Sequence, residues 1–373
     1  MKGVVETSFK LNLTVMKILG LYPFENYPHL YKIYAPTVYA FAMLPGSILG
    51  FIQLFFERDT DGVKYDDLIS MVVIFQAPKF LSVVVNGSNI RKCINYFDEY
   101  IFVKQSAKHE NIVENCVSVC RRNSNVFFFG CVASIFSWCG QLYFRGKNDD
   151  LPVNVWMPLS LKQEPVFNKF LYFNLVIGVI YVGLACATID PLIAGLICHA
   201  CGQLQVLKEN LQNLEKSVAG HIYGKVKANI VHYNSVLEFV KEYEKSFSSA
   251  IFYQFMESII VICICCLQIS KFQNFDLNSV IMVNYLCFLL LQVYFYCYYG
   301  TILIEENNSL IDAIYMSAWY QYEEDSQKAL IILMERSKRP LVVTAGKVLD
   351  LSLETFTVIL RRSYSLLAVL KNY

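Results

Sequence analysis

Three features of the 373-residue sequence predict an all-α integral membrane protein. Hydrophobic residues make up 55% of the chain and charged residues only 17%, where soluble domains carry roughly 25% charged residues. Mean hydropathy is +0.39. Seven windows of about 20 mostly apolar residues match the length a helix needs to cross ~30 Å of hydrocarbon.

These windows predict spans at 34–56, 68–86, 126–144, 170–189, 249–269, 279–304 and 351–370. Prolines 36, 45, 78 and 191 fall in or beside them, where a neighbouring helix must satisfy the carbonyl that loses its partner. The first 33 residues hold short apolar pieces interrupted by Lys2, Lys10, Lys17 and Lys32, a pattern unlike a secretory signal peptide. A net charge of +1 offers nothing to a nucleic acid. Of the 13 cysteines, ten lie in or beside apolar runs, while Cys93, Cys116 and Cys120 are expected in a charged loop. All read as reduced, small apolar residues rather than disulfides.

Lysines and arginines set the orientation. With the N-terminus inside, segments 1–33, 87–125, 201–248 and 301–340 hold 20 of them, and the outer segments 57–67, 145–168 and 271–278 hold 6. That asymmetry predicts an inside N-terminus and an outside C-terminus, opposite to G-protein-coupled receptors. The glycosylation sequons at Asn12, Asn86 and Asn307 all fall on the inner side of this scheme.

The inner segments are themselves helical in pattern. Leu204, Leu207, Leu211 and Leu214 repeat on one helical face, and Gly220 and Gly224 are expected to break the run into two amphipathic helices that extend spans four and five. Residues 325–339 form another amphipathic piece. These helices either pack as a cytoplasmic bundle or lie on the membrane surface.

The last window carries Asp350, Glu354, Arg361 and Arg362 within an otherwise apolar stretch. A charge in hydrocarbon costs about 2.5–3.5 kcal/mol on insertion scales, so two adjacent arginines in mid-span need water, a partner charge or burial between subunits. At helical spacing Val358, Arg362, Ser365, Leu366, Val369 and Tyr373 share a face that is polar in its middle and apolar at its end. A pore-lining helix with a hydrophobic constriction has that form. A bundle helix whose arginines snorkel to an interface has it too.

Enzyme signatures are absent. There is no P-loop, GxGxxG, EF-hand loop or nucleophile elbow, and the spans lack clusters of His, Asp or Glu. His199 between Cys198 and Cys201 has no fourth ligand nearby, so a buried structural histidine is the expectation there, with no cofactor or metal.

The outer halves of the middle spans are aromatic and sparsely polar. They carry Phe75, Gln76, Lys79 and Phe80 in span two, and Cys131, Ser134, Ile135 and Trp138 in span three. Phe173 and Ile177 follow in span four, and Asn284, Tyr285 and Phe288 in span six. A pocket of these residues suits a small, volatile, hydrophobic ligand; the same stripes also serve simple helix packing.

In order and spacing, a further set of residues resembles the insect odorant receptor family of seven-helix ligand-gated channels. The set begins with Tyr299-Gly300, Glu305-Glu306, Ala313-Ile314-Tyr315 and Trp319. It continues through Pro340-Leu341, Thr344-Ala345-Gly346-Lys347, Ser352-Leu353 and Phe356 to Ser363-Tyr364-Ser365, with Leu151-Pro152, Trp156 and Pro158 in the second outer loop.

The resemblance implies a cation channel of four subunits whose seventh segment is split. Its first half, about 325–339, would join a cytoplasmic anchor, and its second would line the pore. The implied gate is Val369, with Leu366 and Tyr373 beside it and Arg362 on the same face, while Trp138 would wall the odorant pocket.

The implied organisation is 1–200 for the N-terminal helices and a pocket bundle of four spans, then 201–248 for cytoplasmic extensions. Residues 249–304 would hold spans five and six, 305–347 the anchor and 348–373 the pore helix. The implied role is the odorant-binding subunit of a heteromer with the odorant co-receptor, in lipid of the plasma membrane on olfactory dendritic cilia, with no nucleic acid. A gustatory-type receptor channel, a metabotropic seven-helix receptor and a transporter are the competing readings.

Overall fold

A computed structural model describes residues 4–22, 28–56, 65–97, 107–144, 151–153, 155–156, 164–214, 222–271 and 277–371. Tyr373, Gly220, His221 and Pro158 lie outside the described residues. Among those described, two short helices come first, α1 (Val4–Ser8) and α2 (Lys10–Ile18). Six long helices follow: α3 (Pro28–Phe56), α4 (Tyr65–Tyr96), α5 (Ala107–Phe144), α6 (Pro165–Gln212), α7 (Ile222–Lys271) and α8 (Leu277–Tyr315). A turn at Trp319–Gln321 leads into α9 (Glu324–Ser337), then a two-stranded ribbon of β1 (Thr344–Ala345) and β2 (Leu349–Asp350), and finally α10 (Leu353–Lys371).

Helices α3 to α8 are each long and apolar enough to cross a membrane. Several far exceed that need. At ~1.5 Å per residue, the 50 residues of α7 and the 48 of α6 reach about 70–75 Å, more than twice the hydrocarbon thickness. The run does divide into two helices between Gln212 and Ile222, with Gly224 in the first turn of α7 rather than between them. Cys93 belongs to α4, and Cys116 and Cys120 belong to α5, so these three positions, expected in a charged loop, are helical. All 13 cysteines are free.

The proline in mid-α3 shows how the bundle repairs its own defects. Pro45 has no N–H for the carbonyl of Phe41, and Asn174 Nδ2 of α6 donates to that carbonyl at 2.9 Å. The α2 helix docks by the same economy of polar groups. Asn12 Nδ2 donates to the Thr188 carbonyl at 3.1 Å and its Oδ1 accepts from Ser124 Oγ at 2.6 Å. Asn12 and Asn307 are buried, which leaves no room for a glycan at either sequon.

The main core follows α6, α7 and α8 along their length, with α2 and α4 packed against them. Trp138, Val153, Val155, Leu171 and Leu175 form a separate small cluster, capped where Trp156 N donates to the Leu49 carbonyl at 3.2 Å. At the far end α9 lies on α7 and α8 through Leu330 and Leu333. Buried Asn307 knits that joint, accepting from Tyr233 Oη at 2.8 Å and donating to the Ser337 carbonyl at 2.9 Å.

The ribbon before α10 is held by α7. Gly346 and Lys347 both have φ of +60°, the left-handed pair that a type I′ turn requires. Gly346 N donates to Ser248 Oγ at 2.9 Å, Ser248 Oγ donates to the Thr344 carbonyl at 2.7 Å, and Thr344 Oγ1 donates to Glu244. A side chain at Gly346 would stand 2.6 Å from Phe252 Cδ2. On the other side Gly300 lets α8 approach Leu351, and Leu353 N donates to Thr301 Oγ1 at 2.9 Å. Ser352 Oγ then accepts from Thr355 N at 3.2 Å and caps α10.

Candidate ligand pocket and pore helix

The residues expected to form a pocket are brought together only in part. Ser134 of α5 and Asn284 of α8 meet directly, Asn284 Nδ2 donating to Ser134 Oγ at 3.0 Å. Phe288, one turn on, packs over Gly130 and lies edge-on to Phe127 with ring centres 5.8 Å apart. Ile135 packs on Gly183 of α6. Tyr285 is half-buried against the main core, and Phe75 and Cys131 are half-buried on their helices.

Phe80 is fully buried, edge-on to Tyr181 at 6.1 Å. Trp138 packs instead in the small outer cluster, where Leu171 and Leu175 represent α6. Phe173 and Ile177, 65% and 44% exposed, lie on the outer face of α6 away from that cluster. A cavity of about 10 Å³ sits beside it, lined by Ala42, Gly46, Val73, Leu175, Gly178 and Val179 among others.

Gln76 and Lys79 lead to a polar network that sequence reading missed. Lys79 Nζ of α4 donates to Asp190 Oδ1 of α6 at 2.7 Å and to Gln254 Oε1 of α7 at 2.6 Å. Asp190 also accepts from Tyr296 Oη at 2.6 Å and from the Gln292 amide, both on α8. Gln76 Nε2 reaches Gln254 Oε1 at 3.4 Å, and Gln254 Nε2 donates to Ser258 Oγ at 3.3 Å.

Glu257 is 1% exposed, and neither of its carboxyl oxygens, nor Gln76 Oε1, finds a hydrogen-bond donor. The available signal was a set of ionisable residues at membrane depth, Lys79, Asp190 and Glu257, each on a different span. Only the fold shows that they converge. Among the described residues no group of His, Cys, Asp and Glu is arranged to hold a metal. His199 hydrogen-bonds Ser8 Oγ at 3.1 Å and is structural.

Helix α10 has two contrasting faces. Thr355, Ile359 and Ser363 are buried against the bundle, and Phe356 lies edge-on to Tyr294 of α8 at 5.9 Å. Glu354, Thr357, Val358, Arg361, Arg362, Tyr364, Ser365, Ala368 and Val369 are exposed, and Leu366 is half-buried. Arg361 and Arg362 are the ninth and tenth of its 19 residues. Among the described residues neither guanidinium makes an ion pair or a side-chain hydrogen bond.

A model of the 7tm Odorant receptor family matches residues 68–364, most of the chain, from α4 into α10. The chain belongs to that family. Among curated odorant receptors it is similar to odorant receptor Or1 of Anopheles gambiae, 22% identical over 98% of this chain and 95% of the relative. It is also similar to the odorant receptor coreceptor of the same mosquito, 23% identical over 43% of this chain and 35% of the relative. The fold matches the olfactory receptor OR5 of Machilis hrabei, solved in complex with eugenol, with a TM-score of 0.84 at 15% identity. That match covers 98% of this chain and 97% of the other. This odorant receptor is accordingly a multi-pass membrane protein and a receptor rather than an enzyme.

Proposed function

We propose that the chain is the odorant-binding subunit of a heteromeric, odorant-gated, non-selective cation channel, assembled with the odorant co-receptor. It sits in the plasma membrane of olfactory dendritic cilia with the N-terminus inside and the C-terminus outside. Helix α10 is its seventh span and lines the pore, narrowing at Val369 with Leu366 beside it.

The observation that carries this reading is α10 itself. One face is packed on α7 and α8, and the other exposes two guanidinium groups at mid-length that have no ion pair among the described residues. A helix of that kind borders water, because two such charges against lipid cost about 5–7 kcal/mol together on insertion scales.

The ligand is small and largely hydrophobic and sits among α4, α5, α6 and α8. The Ser134–Asn284 pair offers its polar contact, and Phe75, Gln76, Phe80, Cys131, Ile135 and Tyr285 line or back the site, while Trp138, Phe173 and Ile177 stand outside it. The eugenol held by the Machilis receptor, a small aromatic molecule, supports that class. Binding opens the channel by population shift: the odorant favours the open arrangement only by its differential affinity for it.

The test is whole-cell current in cells expressing this chain, the co-receptor, or both, with G-protein signalling blocked. Odorant-evoked cation current confined to the co-expressing cells is the expected result. Current abolished by the block would replace this reading with a metabotropic one.

A further inference from the structure

We propose that Arg361 and Arg362 act on the permeating ions, lowering the passage of divalent relative to monovalent cations through any channel that contains this subunit. The inference rests on the reading of α10 as the pore helix and adds to it what this chain's own residues do there.

Both side chains are exposed at the midpoint of α10, and successive helical residues point about 100° apart, so no single neighbouring surface covers both by default. Their own helix does not neutralise them. Glu354, the nearest acidic residue on the exposed side, lies seven residues earlier, about 10 Å along the axis, and makes no ion pair with either arginine. The polar groups that could have served, Asp190 and Glu257, are enclosed in the bundle, Asp190 already holding Lys79. Two hydrated, fixed positive charges therefore stand beside the aqueous path.

Their effect on ions follows from valence. A fixed charge acts on a divalent cation twice as strongly as on a monovalent one. At about 8 Å in a water-like dielectric the differential is on the order of twofold in relative permeability for each guanidinium, and greater where the pore excludes bulk water. Arginine suits the role because its charge persists at every physiological pH. The effect is electrostatic, so it weakens with ionic strength over a Debye length of about 8 Å.

The experiment uses the full chain co-expressed with the co-receptor, reading the odorant-evoked reversal potential with calcium as the external cation and sodium inside. Replacing both arginines (Arg361→Gln with Arg362→Gln) is expected to raise the calcium-to-sodium permeability ratio about fourfold, and either alone about twofold. In Arg361→Cys or Arg362→Cys, a cationic methanethiosulfonate applied from outside restores the original ratio. An anionic one raises the ratio further, with the reagent-treated parent complex as the control for native cysteines.

Odorant-evoked current with an unchanged reversal potential in the double variant overturns the proposal. So does a double variant that reaches the surface and passes no current, since the arginines then serve opening rather than selectivity. Absence of odorant-evoked ionic current in the parent complex is the separate failure of the channel reading, and it is seen before any variant is made.

Discussion

Lys79 Nζ lies 2.7 Å from Asp190 Oδ1, and both side chains are shut away from the surface between α4 and α6. Asp190 is oriented by Tyr296 as well, and Lys79 by Gln254, so one ion pair fastens four of the long helices. Removing one partner strands the other charge. Lys79→Met is expected to destabilise the bundle by about 3–5 kcal/mol, and the double change Lys79→Met with Asp190→Asn to recover much of that loss. Surface yield and the melting temperature of the detergent-solubilised complex measure both.

Glu257 is the opposite case, a buried acid beside an acceptor, Gln76 Oε1, that has no donor. Glu257→Gln places an amide N–H in that position. The expected outcome is a gain of about 1 kcal/mol or an unchanged melting temperature, whereas Glu257→Leu brings no such gain, because Gln76 Oε1 stays without a donor. A melting temperature lower in Glu257→Gln than in the parent would show that the carboxyl has a partner of its own.

The turn at Gly346 combines a positive φ with a close approach to Phe252. Gly346→Ala is therefore expected to cost about 1–3 kcal/mol, concentrated where the ribbon meets α7. Measured in cells, surface expression falls less than odorant-evoked current, because the long-helix bundle is untouched. Equal current per surface receptor would refute this.

Ser134 and Asn284 share one hydrogen bond across the candidate pocket. If the ligand engages that pair, Ser134→Ala and Asn284→Ala each shift the odorant dose–response curve. The double variant then shifts it by less than the product of the two single shifts, a coupling of about 0.5–1.5 kcal/mol. Fully multiplicative shifts would place the two side chains in independent roles.

Val369 is 54% exposed near the end of α10. Val369→Ala is expected to increase resting current by relaxing a hydrophobic constriction, and Val369→Trp to reduce unitary conductance. Single-channel recording of the co-expressed complex decides, and conductance and resting current that match the parent in both variants would move the gate elsewhere.

The extent to which the sequence foretold this architecture differs by element. The apolar windows marked the long helices because hydropathy over about 20 residues is a local property. The helix ends were less visible: α5 starts at Ala107, where its first turns are charged and fall outside any apolar window. The ribbon of β1 and β2 is two residues per strand, too short for any alternation to show. Its motif Thr344-Ala345-Gly346-Lys347 stood out only through its family resemblance, and the reason for it, the grip of Ser248 and Glu244, lies about 100 residues away in the chain. The Lys79–Asp190 pair spans 111 residues, so each member alone read as an isolated oddity in an apolar run.

Helix α7 carries both the carboxyl of Glu257 and the hydroxyl of Ser248 that clasps the ribbon, nine residues apart and thus about 14 Å along one uninterrupted rod. A rod does not stretch. A tilt of α7 that rearranges the buried polar knot also swings the hinge from which α10 hangs, so the bundle and the last helix are linked by a crank rather than by a chain of soft contacts.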